Sequence, residues 1–134
     1  KILELLKELG RPNPADANEK EIFQDRIKDY LSNSKKLVIV AEENSCVVGI
    51  VSVILLERLN QKKLEMYVPE LIVSQKNRRK GIGKKLIKQC LEVAHQNNCY
   101  RIRLESGNFR KESHVFYKSL GFNQSSLSFD KELQ

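Results

Sequence analysis

The sequence predicts an α/β fold, a mixed central β-sheet flanked by helices. Three observations predict it. The hydrophobic period switches between helical and strand-like along the 134 residues, in the order ααββ(β)αβαβ. Two β-branched runs, Leu37-Val-Ile-Val-Ala41 and Cys46 to Leu56, flank a polar turn at Glu42 to Ser45, the pattern of an antiparallel hairpin. The strongest helical stripe, Ile82, Leu86, Ile87, Cys90, Leu91, Val93 and Ala94, falls between two further strand-like segments.

Each element has its own signals. Ile2, Leu5, Leu6 and Leu9 recur at helical spacing, and Gly10 supplies a stop. A loop rich in Pro, Asn and Asp follows, Arg11 to Ala17. Asn18 is the predicted N-cap of a second helix, with Glu21 as its capping-box partner. Ile22, Phe23, Ile27, Tyr30 and Leu31 form its apolar face, and Ser32 to Lys36 is a turn into the hairpin. After a connection holding Lys62 and Lys63, Leu64 to Ser74 makes a third strand. Pro69 inside it cannot donate to a ladder, so this strand must be bulged or at an edge. Gly81 to Asn98 is the long helix, with Lys84, Lys85, Lys88 and Glu92 facing out. Tyr100 to Leu104 is a strand, and Lys111 to Leu120 is a short helix ended by Gly121 as a left-handed cap. Phe122 to Glu132 offers one or two closing strands. No repeat, linker or low-complexity segment interrupts residues 1–134, which reads as a single domain. Lys1 lies inside a helical pattern, so a native N-terminal segment is expected to precede it.

Composition narrows the class. Apolar residues make up 40% and charged residues 31%, as in an ordinary soluble domain. The longest apolar run, Gly49 to Leu56, falls far short of the roughly 20 residues that span a bilayer, and no signal-peptide pattern opens the chain. The three cysteines, Cys46, Cys90 and Cys99, have neither disulfide-framework nor zinc-site spacing. They read as buried thiols in a reducing cytosol, so the expected location is cytoplasmic and no metal is expected. Lysine and arginine outnumber acids by 24 to 17, a net charge of +7, which suggests an anionic partner.

The segment that carries chemistry is Lys76 to Lys88. It holds Lys76, Arg78, Arg79, Lys80, Lys84, Lys85 and Lys88 and no acid. Within it, Arg78-Arg-Lys-Gly81-Ile-Gly83 joins a strand to a helix start. Glycines there let the backbone turn tightly and approach a ligand, and unpaired N–H groups with the helix dipole favour an anion. A pyrophosphate fits both the charge and the number of donors. A dinucleotide fingerprint needs a third glycine where Leu86 stands. A P-loop needs Ser or Thr after Gly83-Lys84, where Lys85 stands. The alternative is a basic, solvated helix start with turn glycines.

Arg78-x-x-Gly81-x-Gly83, between Leu71-Ile72-Val73 and an amphipathic helix, resembles the acetyl-CoA signature of the GNAT superfamily of N-acetyltransferases. His114-Val-Phe116-Tyr117-Lys-Ser-Leu120-Gly121-Phe122 is similar to that family's second motif, and the two stand in family order. The resemblance implies the GNAT fold, with a splayed strand pair at the acetyl-CoA site, and covers the chain from Lys1 onward. The family's usual first strand has no counterpart, in line with a missing N-terminal strand.

The resemblance further implies acetyl transfer from acetyl-CoA, as co-substrate, directly to a primary amine. Backbone N–H groups across Arg79, Lys80, Gly81, Ile82, Gly83 and Lys84 would cradle the pyrophosphate, with Arg78 and the other basic side chains adding attraction. Leu71, Ile72 and Val73 would pair with the pantetheine arm, and an N–H near Ile72 or Val73 would polarise the thioester carbonyl. Pro69 fits the bulge that splays this strand. Tyr117 would contact the cofactor and protonate the leaving thiolate, since a phenol with pKa about 10 carries a proton at neutral pH. The base that deprotonates the amine would be Glu70, before the thioester, or Glu105, at the end of the next strand. Many members place an Asn seven residues before the tyrosine; Arg110 stands there, with Asn108 two residues earlier as the cofactor-contacting amide. The form Arg110-x-x-Ser113-His114-x-Phe116-Tyr117 resembles a subgroup acting on small amines, including aminoalkylphosphonates and aminoglycosides. His95 reads as structural; His114 reads as a packed helix residue, with a direct role as a group of suitable pKa as the alternative. Leu56 to Met66 and Pro12 to Asp16 are expected to border the acceptor site.

A small-molecule amine is therefore the expected acceptor, and a protein N-terminus or lysine is the alternative. No cysteine falls on a motif, so no acyl-enzyme is expected. A non-catalytic acetyl-CoA-binding protein is a further reading. A nucleic-acid-binding module has the charge in its favour, but no aromatic residue interleaves the basic stretch. Neither nucleic acid nor membrane is an expected partner. Family habit makes a homodimer compatible with the sequence.

Overall fold

Residues 36–56 fold as their period implies. In the computed structural model, which describes residues 17–133, Lys36–Glu43 forms β1 and Cys46–Leu56 forms β2, paired antiparallel. Asn44 and Ser45 both take positive φ, 53° and 64°, which makes the two-residue turn that matches strand twist. The expected helix over residues 2–9, the Gly10 stop, the Pro12 to Asp16 loop and the strand expected ahead of them lie outside the described residues.

Glu65–Val73 forms β3, antiparallel to β2, and Arg101–Leu104 forms β4, in the order β1-β2-β3-β4. The Tyr100 N–H donates to the Leu64 carbonyl at 3.0 Å, which sets the start of β4 beside the start of β3. Those strands are joined by a helical crossover, so they run parallel and the sheet is mixed. In register, Ser52 faces Glu70 and Ile54 faces Tyr67, so Val68 and Pro69 together stand opposite Val53. This is a bulge, and Pro69 has no N–H to lose where the ladder is interrupted. The edge-strand alternative falls, because β3 lies between β2 and β4.

Ala17–Ser32 forms α1, which packs on β1. Asn18 lies within it and is not its cap. Of the expected apolar face, Phe23, Ile27 and Tyr30 are half-buried, whereas Ile22 and Leu31 are exposed. Ile82–Gln96 forms α2, which buries Leu86, Ile87, Cys90 and Ala94 against the sheet. Gly49 permits that approach: a Cβ there would lie 3.2 Å from both Ile82 Cγ2 and Leu86 Cδ1. Val51, Val53 and Met66 are fully buried beneath the helix-covered sheet, each stabilising the fold by roughly 1.5–3 kcal/mol.

The structure divides after Arg103 into two compact units. The second holds α3, Lys111–Ser119, followed by Gly121 at φ 91° as the expected left-handed residue. The closing strands expected over Phe122 to Glu132 are not formed among the described residues. Leu127 and Phe129 do alternate, but both are exposed, and alternation makes a strand only where another strand supplies its hydrogen bonds.

Candidate active site

Residues 74–81 connect the end of β3 to the start of α2. The Ser74 N–H donates to the Val48 carbonyl at 2.7 Å, and a short 3-10 turn, Gln75–Asn77, leads on to Arg78. Arg79 and Gly81 then take φ of 65° and 79°. Left-handed backbone costs a residue with a Cβ about 1–2 kcal/mol, a penalty absent at Gly81, the N-cap of α2. The bond from the Lys85 N–H to the Gly81 carbonyl, 3.1 Å, is the first of the helix, and no side chain caps it. The N–H groups of Ile82, Gly83 and Lys84 therefore point out of the helix start without a helical acceptor. They sit at the positive end of the helix dipole, with exposed Lys80 and Lys84 beside them, and suit a diphosphate. Arg78 folds back: its Nε–H donates to the Val73 carbonyl at 3.1 Å.

Ladder alternation orients β3. Because the N–H of Ser74 faces β2, those of Ile72 and Glu70 face the same way. The N–H and carbonyl groups of Leu71 and Val73 face the opposite side, where β4 ends after four residues. Of the two residues expected to polarise a carbonyl, Val73 has its N–H on that side and Ile72 does not.

Glu70 stands directly opposite Ser52. The Ser52 hydroxyl donates to Glu70 Oε2 and accepts the Glu70 N–H at 3.1 Å. Tyr30 of α1 lies near enough that, after burial, the Glu70 charge is the largest influence raising its phenol pKa. At the other end of β3, Glu65 is fully buried. It accepts hydrogen bonds from Arg58 (3.1 Å), Arg103 (3.2 Å), Tyr100 (3.1 Å) and Arg101. Burial alone would raise its pKa; the hydrogen bonds from Arg101, Arg103 and Tyr100 outweigh that and hold it down at about 2. An open cavity of about 420 Å³ lies nearby, lined by Leu56, Glu57, Arg58, Leu59 and Asn60. The Leu56 to Met66 stretch, expected to border the acceptor site, is thus at the far end of β3 from the Arg78 to Gly83 loop.

In the second unit, Tyr117 lies edge-on to Phe116 (5.2 Å between centroids) and to Phe122 (5.8 Å). Glu105 is exposed and accepts a hydrogen bond from the Ser128 hydroxyl at 2.7 Å. Asn108 is exposed in the turn before α3, and Arg110, its N-cap, lays its guanidinium over the Phe109 ring at 5.4 Å. His114 Nε2 is 2.8 Å from the Gly107 carbonyl. A carbonyl only accepts, so this nitrogen carries the proton and the imidazole braces the turn.

One cysteine departs from expectation. Cys46 is exposed, because it pairs with Glu43 beside the Asn44–Ser45 turn, at the closed end of the hairpin. Cys90 is buried, and burial pushes its thiol up to about 11, far from a nucleophilic thiolate at neutral pH. Cys99 is half-buried, and its thiol is also raised by burial. Among the described residues no helix is long and apolar enough to cross a membrane, and no cluster of three or more His, Cys, Asp or Glu could hold a metal ion. Sequence reasoning passed over Ser52, Tyr30 and the Glu65 cluster. For the last, a signal existed in the alternation of Arg101 and Arg103.

The sequence pattern of the acetyltransferase (GNAT) family matches residues 2–122. Human N-acetyltransferase 8 is 31% identical over 109 residues, which cover 80% of this chain and 47% of that protein. The chain thus spans about half the length of the curated relatives it matches. Among solved structures, glucosamine-6-phosphate N-acetyltransferase from Arabidopsis thaliana shares the fold at TM-score 0.83 and 21% identity, covering 98% of this chain and 88% of that one. An aminoglycoside acetyltransferase, meta-AAC0020, from an uncultured soil metagenomic sample gives 0.82 and 20%, with 98% and 86% covered.

Proposed function

Because the chain belongs to the acetyltransferase (GNAT) family, we propose that it transfers acetyl from acetyl-CoA directly to the primary amine of a small molecule. The observation that carries this is the start of α2, where three N–H groups without helical acceptors meet a basic segment at the end of β3. Backbone donors across Arg79 to Lys84 would hold the diphosphate, with Lys80 and Lys84 adding charge. Leu71 would pair with the pantetheine arm through the groups that face away from β2, Val73 through the second lone pair of the carbonyl that Arg78 also bonds, and Asn108 would add a side-chain contact. Acetyl-CoA supplies the activated acetyl group. The Val73 N–H would donate to the carbonyl oxygen as negative charge develops there.

An alkylammonium has pKa near 10.4, so the acceptor must lose a proton before it attacks. Glu70 is the base in this account, directly or through a water; it is on β3, two residues before Ile72, whereas Glu105 is exposed beyond β4. Tyr117 would deliver its phenolic proton to the departing thiolate. The small-molecule acceptor is supported by the Arg110-to-Tyr117 pattern and by the substrates named for the Arabidopsis and metagenomic neighbours.

The test is thiol release from acetyl-CoA across a panel of small amines, a lysine peptide and a free N-terminal peptide. Release with small amines is expected, and Tyr117→Phe should lower kcat roughly 10²–10⁴-fold with little change in KM. Release with the peptides alone would move the acceptor class to protein. Release by Tyr117→Phe at the parent rate would remove the proton-donor role.

A further inference from the structure

We infer that Ser52 is a positioning residue for the reaction: its hydroxyl clamps Glu70 so that the carboxylate is held in one place to take the proton of the amine. The inference rests on Glu70 being the base.

Three features carry it. Ser52 and Glu70 are cross-strand partners, 18 residues apart in sequence but opposite each other on β2 and β3. Ser52 is buried, at 6% exposure, among the apolar residues of β2. Its single hydroxyl is used twice on the same partner, accepting the Glu70 main-chain N–H at 3.1 Å and donating to the Glu70 side chain at Oε2. A hydroxyl has one proton to give, so this proton is committed to the carboxylate. The side chain of Glu70 is thereby tied to the backbone it springs from, through one atom of the neighbouring strand.

The setting explains why such a clamp is needed. The bulge at Val68 and Pro69 immediately precedes Glu70 and breaks the regular ladder. A glutamate next to a bulge has three rotatable bonds and no regular pleat to aim it. Serine is the one polar residue among the buried residues of β2, and it falls opposite that carboxylate. A serine needed only for packing would serve as well as alanine or valine.

The experiment compares kcat, amine KM and acetyl-CoA Kd for Ser52→Ala, Ser52→Thr, Ser52→Val, Glu70→Gln and the double variant Ser52→Ala/Glu70→Gln. Threonine and valine have the same shape and differ by the hydroxyl, so that pair isolates the clamp even where alanine loosens the fold. The expected result is a fall in kcat of about 10–100-fold for alanine and valine, with amine KM and acetyl-CoA Kd within about twofold. Threonine should restore most of the rate. Adding Ser52→Ala to Glu70→Gln should cost nothing further, because the two act as one unit. The inference is overturned if Glu70→Gln is slow while valine and threonine at position 52 are equally fast. It is also overturned if the losses in the double variant simply multiply. A Glu70→Gln enzyme as fast as the parent would instead remove Glu70 as the base, and the clamp with it.

Discussion

Tyr117 and Glu70 show how differently single residues announce themselves. The motif that makes Tyr117 a candidate is local, with Phe116, Gly121 and Phe122 all within a few residues of it. Glu70 is a candidate from its place in the strand, whereas its pairing with Ser52 is set by the strand register, which no local pattern reveals. Cys46 was misjudged because average burial preferences ignore that the residues beside a hairpin turn are wet. The cysteines also yield a test. Brief treatment with N-ethylmaleimide, followed by peptide mass spectrometry, should label Cys46 first and leave Cys90 unmodified, since burial raises the Cys90 thiol to about 11. Acetyl transfer should survive this labelling, because the proposed direct transfer uses no cysteine. Loss of activity in step with modification of a single cysteine would contradict the direct-transfer mechanism.

At the scale of elements, the hairpin and the long helix follow from hydrophobic period, because both are dictated by local pattern. Pro69 foretold an irregular strand, and the pairing resolves it as a bulge in an internal strand. The closing strands failed for the opposite reason: alternation at Leu127 and Phe129 is local, while strand pairing is not. Gly49→Val would press methyl groups against Ile82 and Leu86, already 3.2 Å from a Cβ, and should destabilise the fold by about 1–3 kcal/mol in urea unfolding. Stability equal to the parent would mean that α2 does not pack as closely as described. The Glu65 cluster joins the β2–β3 connection to β3 and β4 through Arg58, Arg101 and Arg103. The pKa of this carboxylate is depressed in the fold from 4.5 to about 2, so its contribution is fully present above about 4.5. That contribution is lost as pH falls from there toward about 2. Melting temperatures taken from pH 6 to pH 2 should therefore fall less steeply for Glu65→Gln than for the parent. Parallel curves would show that the carboxylate stabilises nothing.

For the molecule as a whole, the family and its fold were legible from two short motifs in the right order, and the match over residues 2–122 bears that out. The acceptor was not legible, since loops rather than the shared fold choose it. The net charge of +7 is concentrated around the α2 start, where Lys76 to Lys88 carry no acid. Salt should therefore weaken acetyl-CoA binding, by roughly threefold or more between 50 and 500 mM. An affinity insensitive to salt would separate the basic segment from cofactor binding. The central claim is that the backbone donors at Gly81 to Lys84 hold acetyl-CoA. Its most direct test is a calorimetric titration of acetyl-CoA into the parent, Gly81→Trp and Gly83→Trp, with folding of each checked by circular dichroism. A Cβ at Gly81 meets nothing within 4 Å, but the φ of 79° strains any side chain placed there, so affinity is compared only between variants shown to be folded. The account predicts binding by the parent and at least tenfold weaker binding by both folded variants. Equal affinity in all three proteins would contradict it.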